Sequence, residues 1–159
     1  MDELREEMEE LKELLRTKQY TRLRQSMAEV NDADIAAFIE SLDEGELLKV
    51  FRILPKSCAA DVFSYLEVEN QHLIITALSD KEAANIIDNL MADDATDFLE
   101  EMPANIVKKL LANASPETRR DINHLLRYPE DCAGSIMTVE YVDLKENITV
   151  QSSGYRRRW

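Results

Sequence analysis

Glycine occurs three times and proline four times in 159 residues. Long β meanders need many tight turns built on such residues, so a mainly β fold is excluded. With glycines only at 45, 134 and 154, no Gly-rich loop that could cradle a phosphate can be written. The two histidines, His72 and His124, stand far apart with no HExxH or other metal-ligand spacing. His72 precedes a core position by two residues and reads as a partly exposed structural histidine. Cys58 and Cys132 form no disulfide framework. Cys58 lies at a repeat position held elsewhere by Asp34, Glu46 and Asn70, which suggests partial exposure, but no adjacent base would activate it. No apolar run approaches the ~18 residues of a membrane helix, and the acidic start Met1-Asp2-Glu3 is unlike a signal peptide. The chain is expected to be soluble, cytoplasmic and not an enzyme.

Positive charge is also scarce. The chain has 32 Asp and Glu against 19 Lys and Arg, a net charge of −13. Three of those bases form the terminal Arg156-Arg157-Arg158 run, so residues 1–150 are more negative still. Such a surface repels nucleic-acid phosphates and anionic lipid headgroups, and attracts cations or basic partner surfaces. Because 45% of the residues are hydrophobic, a core can form and the charge does not imply disorder. Abundant Ala, Leu, Glu, Lys and Met point to an all-α protein.

Residues 1–30 read as a helical pair. Leu4, Met8, Leu11 and Leu15 make one apolar seam, and Tyr20, Leu23, Met27 and Val30 a second. Two turns are too few to specify a dimer zipper, so packing of each helix on its neighbour is favoured.

From Asn31 a twelve-residue repeat takes over. Leu42, Leu54, Leu66, Leu78, Leu90, Met102, Ala114 and Leu126 mark it. Four positions before them stand Phe38, Val50, Val62, Ile74, Ile86, Phe98, Leu110 and Ile122. Three before stand Ile39, Phe51, Phe63, Ile75, Ile87, Leu99, Leu111 and Asn123. Of these 24 positions 23 are apolar, where composition alone would give about 11. Positions i, i−3 and i−4 share one face of an α-helix, so each unit should be a short helix and a turn. Ser79-Asp80-Lys81-Glu82 fits a capping box, and Ser115-Pro116-Glu117 supplies an N-cap, an N1 proline and a first-turn acid. Pro55 and Pro103 follow their leucine-position residues directly, where a helix must stop. Helices of about eight residues do not persist alone in water and must be held by neighbours. The expected fold is all-α, a right-handed superhelix of short helices spanning residues 31–126.

After Leu126 the beat breaks. Ser135–Leu144 has the β-branched and aromatic content of a strand, and Thr149-Val150 looks like the start of a helix. Residues 151–159 keep no periodicity and read as an unrelated or disordered tail.

The stretch Arg127-Tyr128-Pro129-Glu130-Asp131-Cys132-Ala133-Gly134-Ser135-Ile136-Met137-Thr138, followed by Glu140-Tyr141-Val142, resembles a junction in MgtE-type bacterial magnesium channels. There a helical N domain passes into a pair of CBS domains, and the superhelix is similar to that N domain. The resemblance implies that residues 127–150 are a linker and the start of a truncated CBS domain. It further implies a cytosolic magnesium-sensing, gating domain that does not itself transport. Its partners would be Mg²⁺ and the CBS and membrane domains of the full-length transporter, at the cytosolic face of the membrane. Mg²⁺ binding by this chain alone should be weak, because the facing acidic wall belongs to the CBS domains. The repeat by itself fits an alternative, a protein-interaction scaffold similar to flagellar motor switch proteins.

The candidate metal-binding stretch is Asp93-Asp94-Ala95-Thr96-Asp97-Phe98-Leu99-Glu100-Glu101. Asp93 and Asp97 are i,i+4, as are Asp97 and Glu101, so their carboxylates share a strip of helix and repel. Mg²⁺ prefers oxygen ligands and keeps several waters, so one or two carboxylates suffice. By resemblance Asp93 is an interdomain magnesium ligand and Asp61 a second. Asp94 completes the set. A first-turn acid also gains from the helix dipole without any metal, so capping is the competing reading.

Overall fold

The computed structural model describes residues 2–129, 132–134 and 137–139, with side chains from Glu6 onward. Among them are ten α-helices and no strand. The order is α1 Asp2–Arg16, α2 Tyr20–Met27, α3 Asp32–Glu40, α4 Glu44–Ile53, α5 Ala59–Ser64, α6 Val68–Ala77, α7 Asp80–Ile87, α8 Ala92–Glu100, α9 Ala104–Asn113 and α10 Pro116–Leu125. From α3 to α10 the helices start twelve residues apart except around α5, which starts fifteen after α4 and nine before α6. Helix α5 opens three residues late, after a turn in which the Cys58 amide donates to the Pro55 carbonyl.

The apolar columns of the repeat become the core. All eight residues at i−4 are buried, from Phe38 to Ile122, and so are the first six at i−3. Leu111 is half-buried and Asn123 exposed, where the array ends. The leucine column is less deep, with Leu42, Leu78 and Leu90 half-buried and Leu126 exposed. A fourth column, seven residues before each leucine position, faces inward as well: Ile35, Leu47, Ala83 and Ala95 are buried there. Its polar member, Gln71, is buried because its amide donates to the Phe63 carbonyl at 2.9 Å, which offsets the cost of removing it from water. Phe63 sits edge-on to both Phe51 and Phe98, with ring centres 6.2 and 5.2 Å away, and ties α4, α5 and α8 together.

The expected starts and stops are present. Ser79 and Glu82 form the capping box, the Ser79 amide donating to the Glu82 carboxylate at 2.9 Å. Ser115 accepts from the Thr118 amide, with Pro116 at the first helical position. Helices α4 and α8 end before Pro55 and Pro103. Two further caps, Asn31 and Asp43, accept amide hydrogens of Ala33 and Glu46.

Most of the packing is on the second helix along, α3 on α5, α4 on α6, α5 on α7, α7 on α9 and α8 on α10, while α4 also rests on its direct neighbour α3. The array is therefore two columns, odd and even, and one full turn takes 24 residues. Polar links tie successive turns. The Glu67 amide donates to Glu40 at 2.7 Å, the Ser115 amide to Asp88 at 2.8 Å, and Lys109 pairs with Asp80 at 2.7 Å. Along the even column α6 and α8 are not among the closely packed pairs.

At the front, α1 and α2 pack on each other, burying Leu11, Leu14, Leu15, Leu23 and Met27. Tyr20, assigned above to the second seam, is instead 39% exposed. Helix α1 closes in a Schellman motif: Gln19 N–H bonds to Leu14 O and Lys18 N–H to Leu15 O, with Lys18 at φ 58°. Of the Ser135–Leu144 stretch only residues 137–139 are described, and they carry no strand. The rest of it, Thr149-Val150 and the tail lie outside the described residues. So does most of the proposed truncated CBS start.

Candidate functional site

Helix α8 divides its residues sharply. Ala92, Ala95, Thr96, Phe98 and Leu99 are buried, the Thr96 hydroxyl donating to the Ala92 carbonyl at 2.6 Å. Asp94, Asp97 and Glu100 are exposed, as is Glu101 just beyond, and Asp93 is half-buried. The N-cap, Met91, offers no side-chain acceptor, so the first-turn acids Asp93 and Asp94 supply the negative charge at this end.

Asp93 is not held by a cap bond. Its Oδ1 is shielded from solvent and accepts no hydrogen bond among the described residues. A shielded carboxylate oxygen without a donor is costly, and a cation would relieve it. One turn on, burial first and the Asp93 charge second push the Asp97 carboxyl above its ordinary value. No described ion pair involves Asp93, Asp97, Glu100 or Glu101. The two carboxylates therefore face each other unneutralised.

Beside α8, where the even column is loosest, lies an open cleft of about 400 Å³; Asp97 lines it and Asp93 does not. Asp94, Asp97, Glu100 and Glu101 form one wall; Ser64 and Gln71, from α5 and α6, stand on the other. All the charges in it are carboxylates, the hard oxygen donors that suit hydrated Mg²⁺.

Asp61 goes elsewhere. It does not line this cleft; it sits exposed in the first turn of α5, and its electrostatic neighbours are Asp32 and Cys58. Burial, then Asp61, raises the Asp32 carboxyl. Burial, then Asp32 and Asp61, raises the Cys58 thiol, while Arg24 opposes this weakly. A raised thiol is an unreactive one. The structure thus brings Asp93, Asp94 and Asp97 onto one helix and leaves Asp61 in a second acidic focus with Asp32, a partner not visible in the repeat. Among the described residues no group of three His, Cys, Asp or Glu side chains could by itself hold a metal ion. His72 is half-buried on α6.

The junction has its own geometry. The Tyr128 ring packs edge-on to His124 at 5.6 Å, and Gly134 lies against that ring so closely that a Cβ there would overlap it.

Residues 30–131 match the family model of the MgtE intracellular N domain. The chain is 34% identical over 145 residues to the magnesium transporter MgtE of Thermus thermophilus, covering 89% of this chain and 32% of the relative. To the magnesium transporter MgtE of Enterococcus faecalis it is 28% identical over 155 residues, covering 96% and 34%. It spans about a third of the length of these relatives. The structure superposes on a crystal structure of the soluble part of a magnesium transporter with TM-score 0.83 and 28% identity, covering 96% of this chain and 60% of that one. It superposes on the cytosolic domain of the Mg²⁺ channel MgtE in complex with ATP with TM-score 0.75 and 33% identity, covering 91% and 60%. No helix among the described residues is long and apolar enough to cross a membrane.

Proposed function

The chain belongs to the family of MgtE intracellular N domains, a transporter domain rather than an enzyme family, and on that premise we propose that it works as the magnesium-sensing, gating part of a magnesium channel. The pore and the CBS domains it answers to would lie outside residues 31–126, with residues 127–150 leading towards them. One observation carries the reading: Asp93 has a shielded, donor-less carboxylate oxygen one turn from Asp97, whose ionised form burial first and the Asp93 charge second disfavour.

Asp93 is the first ligand, with Asp97 and Asp94 beside it, and Asp61 serves a second, separate position on α5. None is a closed cage. Each carboxylate group offers one or two oxygens to a hydrated Mg²⁺ whose remaining contacts come from a facing acidic surface. Without the ion the two acidic faces repel; with it they are bridged and the closed arrangement gains. Weak sites suffice when several act together. Four sites, each about tenfold selective for the closed arrangement, supply ~5.5 kcal/mol, roughly enough to move an equilibrium from 1:99 to 99:1.

Thermal melting in Mg²⁺ against matched ionic strength tests this, on the chain alone and mixed with a CBS-domain pair of the family. Alone, Mg²⁺ should do little beyond charge screening. With the CBS pair, millimolar Mg²⁺ should raise the midpoint and Asp93→Ala should abolish the rise. An unchanged response in Asp93→Ala, or none beyond ionic strength, would remove the basis for a sensor.

A further inference from the structure

Opposite in character to the acidic cleft, three adjoining clefts follow the edge where even helices turn into odd ones. The first, about 380 Å³, takes Tyr20 and Arg24 from α2 with Arg52, Leu54 and Lys56. The second, about 330 Å³, shares Arg52, Leu54 and Lys56 and adds Lys81 and Ile86 of α7. The third, about 140 Å³, shares Leu78 with the second and ends at α9, where Lys109 pairs with Asp80. Leu54 and Leu78 are 24 residues apart, so the floor repeats once per superhelical turn.

This edge gathers cations in a chain of net charge −13. Arg24, Lys56 and Lys81 are exposed and enter no described ion pair. Arg52 donates to the Ala77 carbonyl at 2.7 Å, which holds it at the groove wall. Two carboxylates stand among them: Glu82 lines the second cleft within the field of Arg52 but is held at the Ser79 cap, and Asp80 pairs with Lys109. The cations come from α2, α4, the α4–α5 turn and α7, strung along an apolar floor. A compact phosphate has no use for such a floor, and no glycine loop is present to cradle one. A polypeptide does, because solenoid edges that repeat per turn suit ligands with a repeating face.

We propose that this groove is a docking surface for an acidic polypeptide segment bearing apolar side chains, bound by charge complementarity along Arg24, Arg52, Lys56 and Lys81 and by contact with Tyr20 and Leu78. This does not depend on the magnesium reading, and its test is run without Mg²⁺. A labelled synthetic peptide repeating Glu-Glu-Leu is titrated against the whole chain, followed by fluorescence anisotropy and by amide shifts in NMR spectra. Saturable binding is expected, with shifts confined to α2, the α4–α5 turn and α7. The triple variant Arg24→Glu, Lys56→Glu, Lys81→Glu, checked for an unchanged helical melt, should weaken it at least tenfold, while Lys12→Glu on α1 should leave it unchanged. Arg52 is kept, since it also holds Ala77. Inorganic triphosphate and anionic phosphatidylglycerol vesicles should bind more weakly than the peptide. No saturable peptide binding, binding indifferent to the triple variant, or stronger binding of triphosphate or vesicles would each overturn the proposal.

Discussion

Replacing Asp97 by asparagine should stabilise the domain, although it removes an exposed charge from a helix. Asp97 stands i,i+4 from Asp93, whose charge acts on it, and a like-charge pair at that spacing costs ~0.2–0.5 kcal/mol. Its carboxyl is also partly withdrawn from water and pays for ionising there. Asparagine has the same shape and nearly the same helix propensity, so the change isolates charge. Losing that repulsion gives about 0.2–0.5 kcal/mol, or roughly 1–2 °C in melting midpoint for a domain of this size. The pH dependence follows from the direction of the shift. A carboxyl raised in the folded state destabilises it only when ionised, so the native protein gains from Asp97 protonation as pH falls. The advantage of Asp97→Asn should be full near neutrality and vanish well below the ordinary aspartate value of 3.8. Melts from pH 3 to 8 at low salt check it. A neutral or destabilising Asp97→Asn at pH 7, or an advantage independent of pH, would mean that a favourable contact holds Asp97, and the repulsion argument would fail.

Three further outcomes are expected. Lys18→Gly should raise stability by about 1 kcal/mol in urea titrations, because Lys18 occupies the left-handed position that glycine takes without strain. Phe63→Ala should cost ~3–5 kcal/mol, since Phe63 is fully buried between Phe51 and Phe98; calorimetry would register a large fall in midpoint. Gly134→Ala should displace Tyr128 and open the junction to limited proteolysis while the melt of the helices stays unchanged.

The core was largely legible because its periodicity is covalent: apolar residues at i, i−3 and i−4 need one helix face whatever the neighbours are. The column of Ile35, Leu47, Ala83 and Ala95 was not, since Gln71 and Arg119 interrupt it and small alanines carry little apolar signal. The two-column stacking was invisible for a different reason. Every unit repeats the same pattern, so twelve-residue spacing cannot say whether a helix rests on its first or second neighbour. The end of α1 lacked the usual glycine, Lys18 standing in its place. For the candidate site, sequence spacing placed Asp93 and Asp97 on one strip because both belong to α8. It could not separate Asp61 from them or bring Asp32 to it, because that pairing joins α3 to α5 across a turn of the array.

Stacking on the second neighbour gives the array a parity. Insertion or loss of one twelve-residue unit upstream of α8 would exchange the roles of every helix after it and carry the aspartates to the opposite column. Two units added or removed together would restore the alternation. Viable members of this architecture should therefore differ in length by whole pairs of helices, and an even count between α2 and the aspartate helix, in place of the five here, would mark a chain whose acidic face looks the other way.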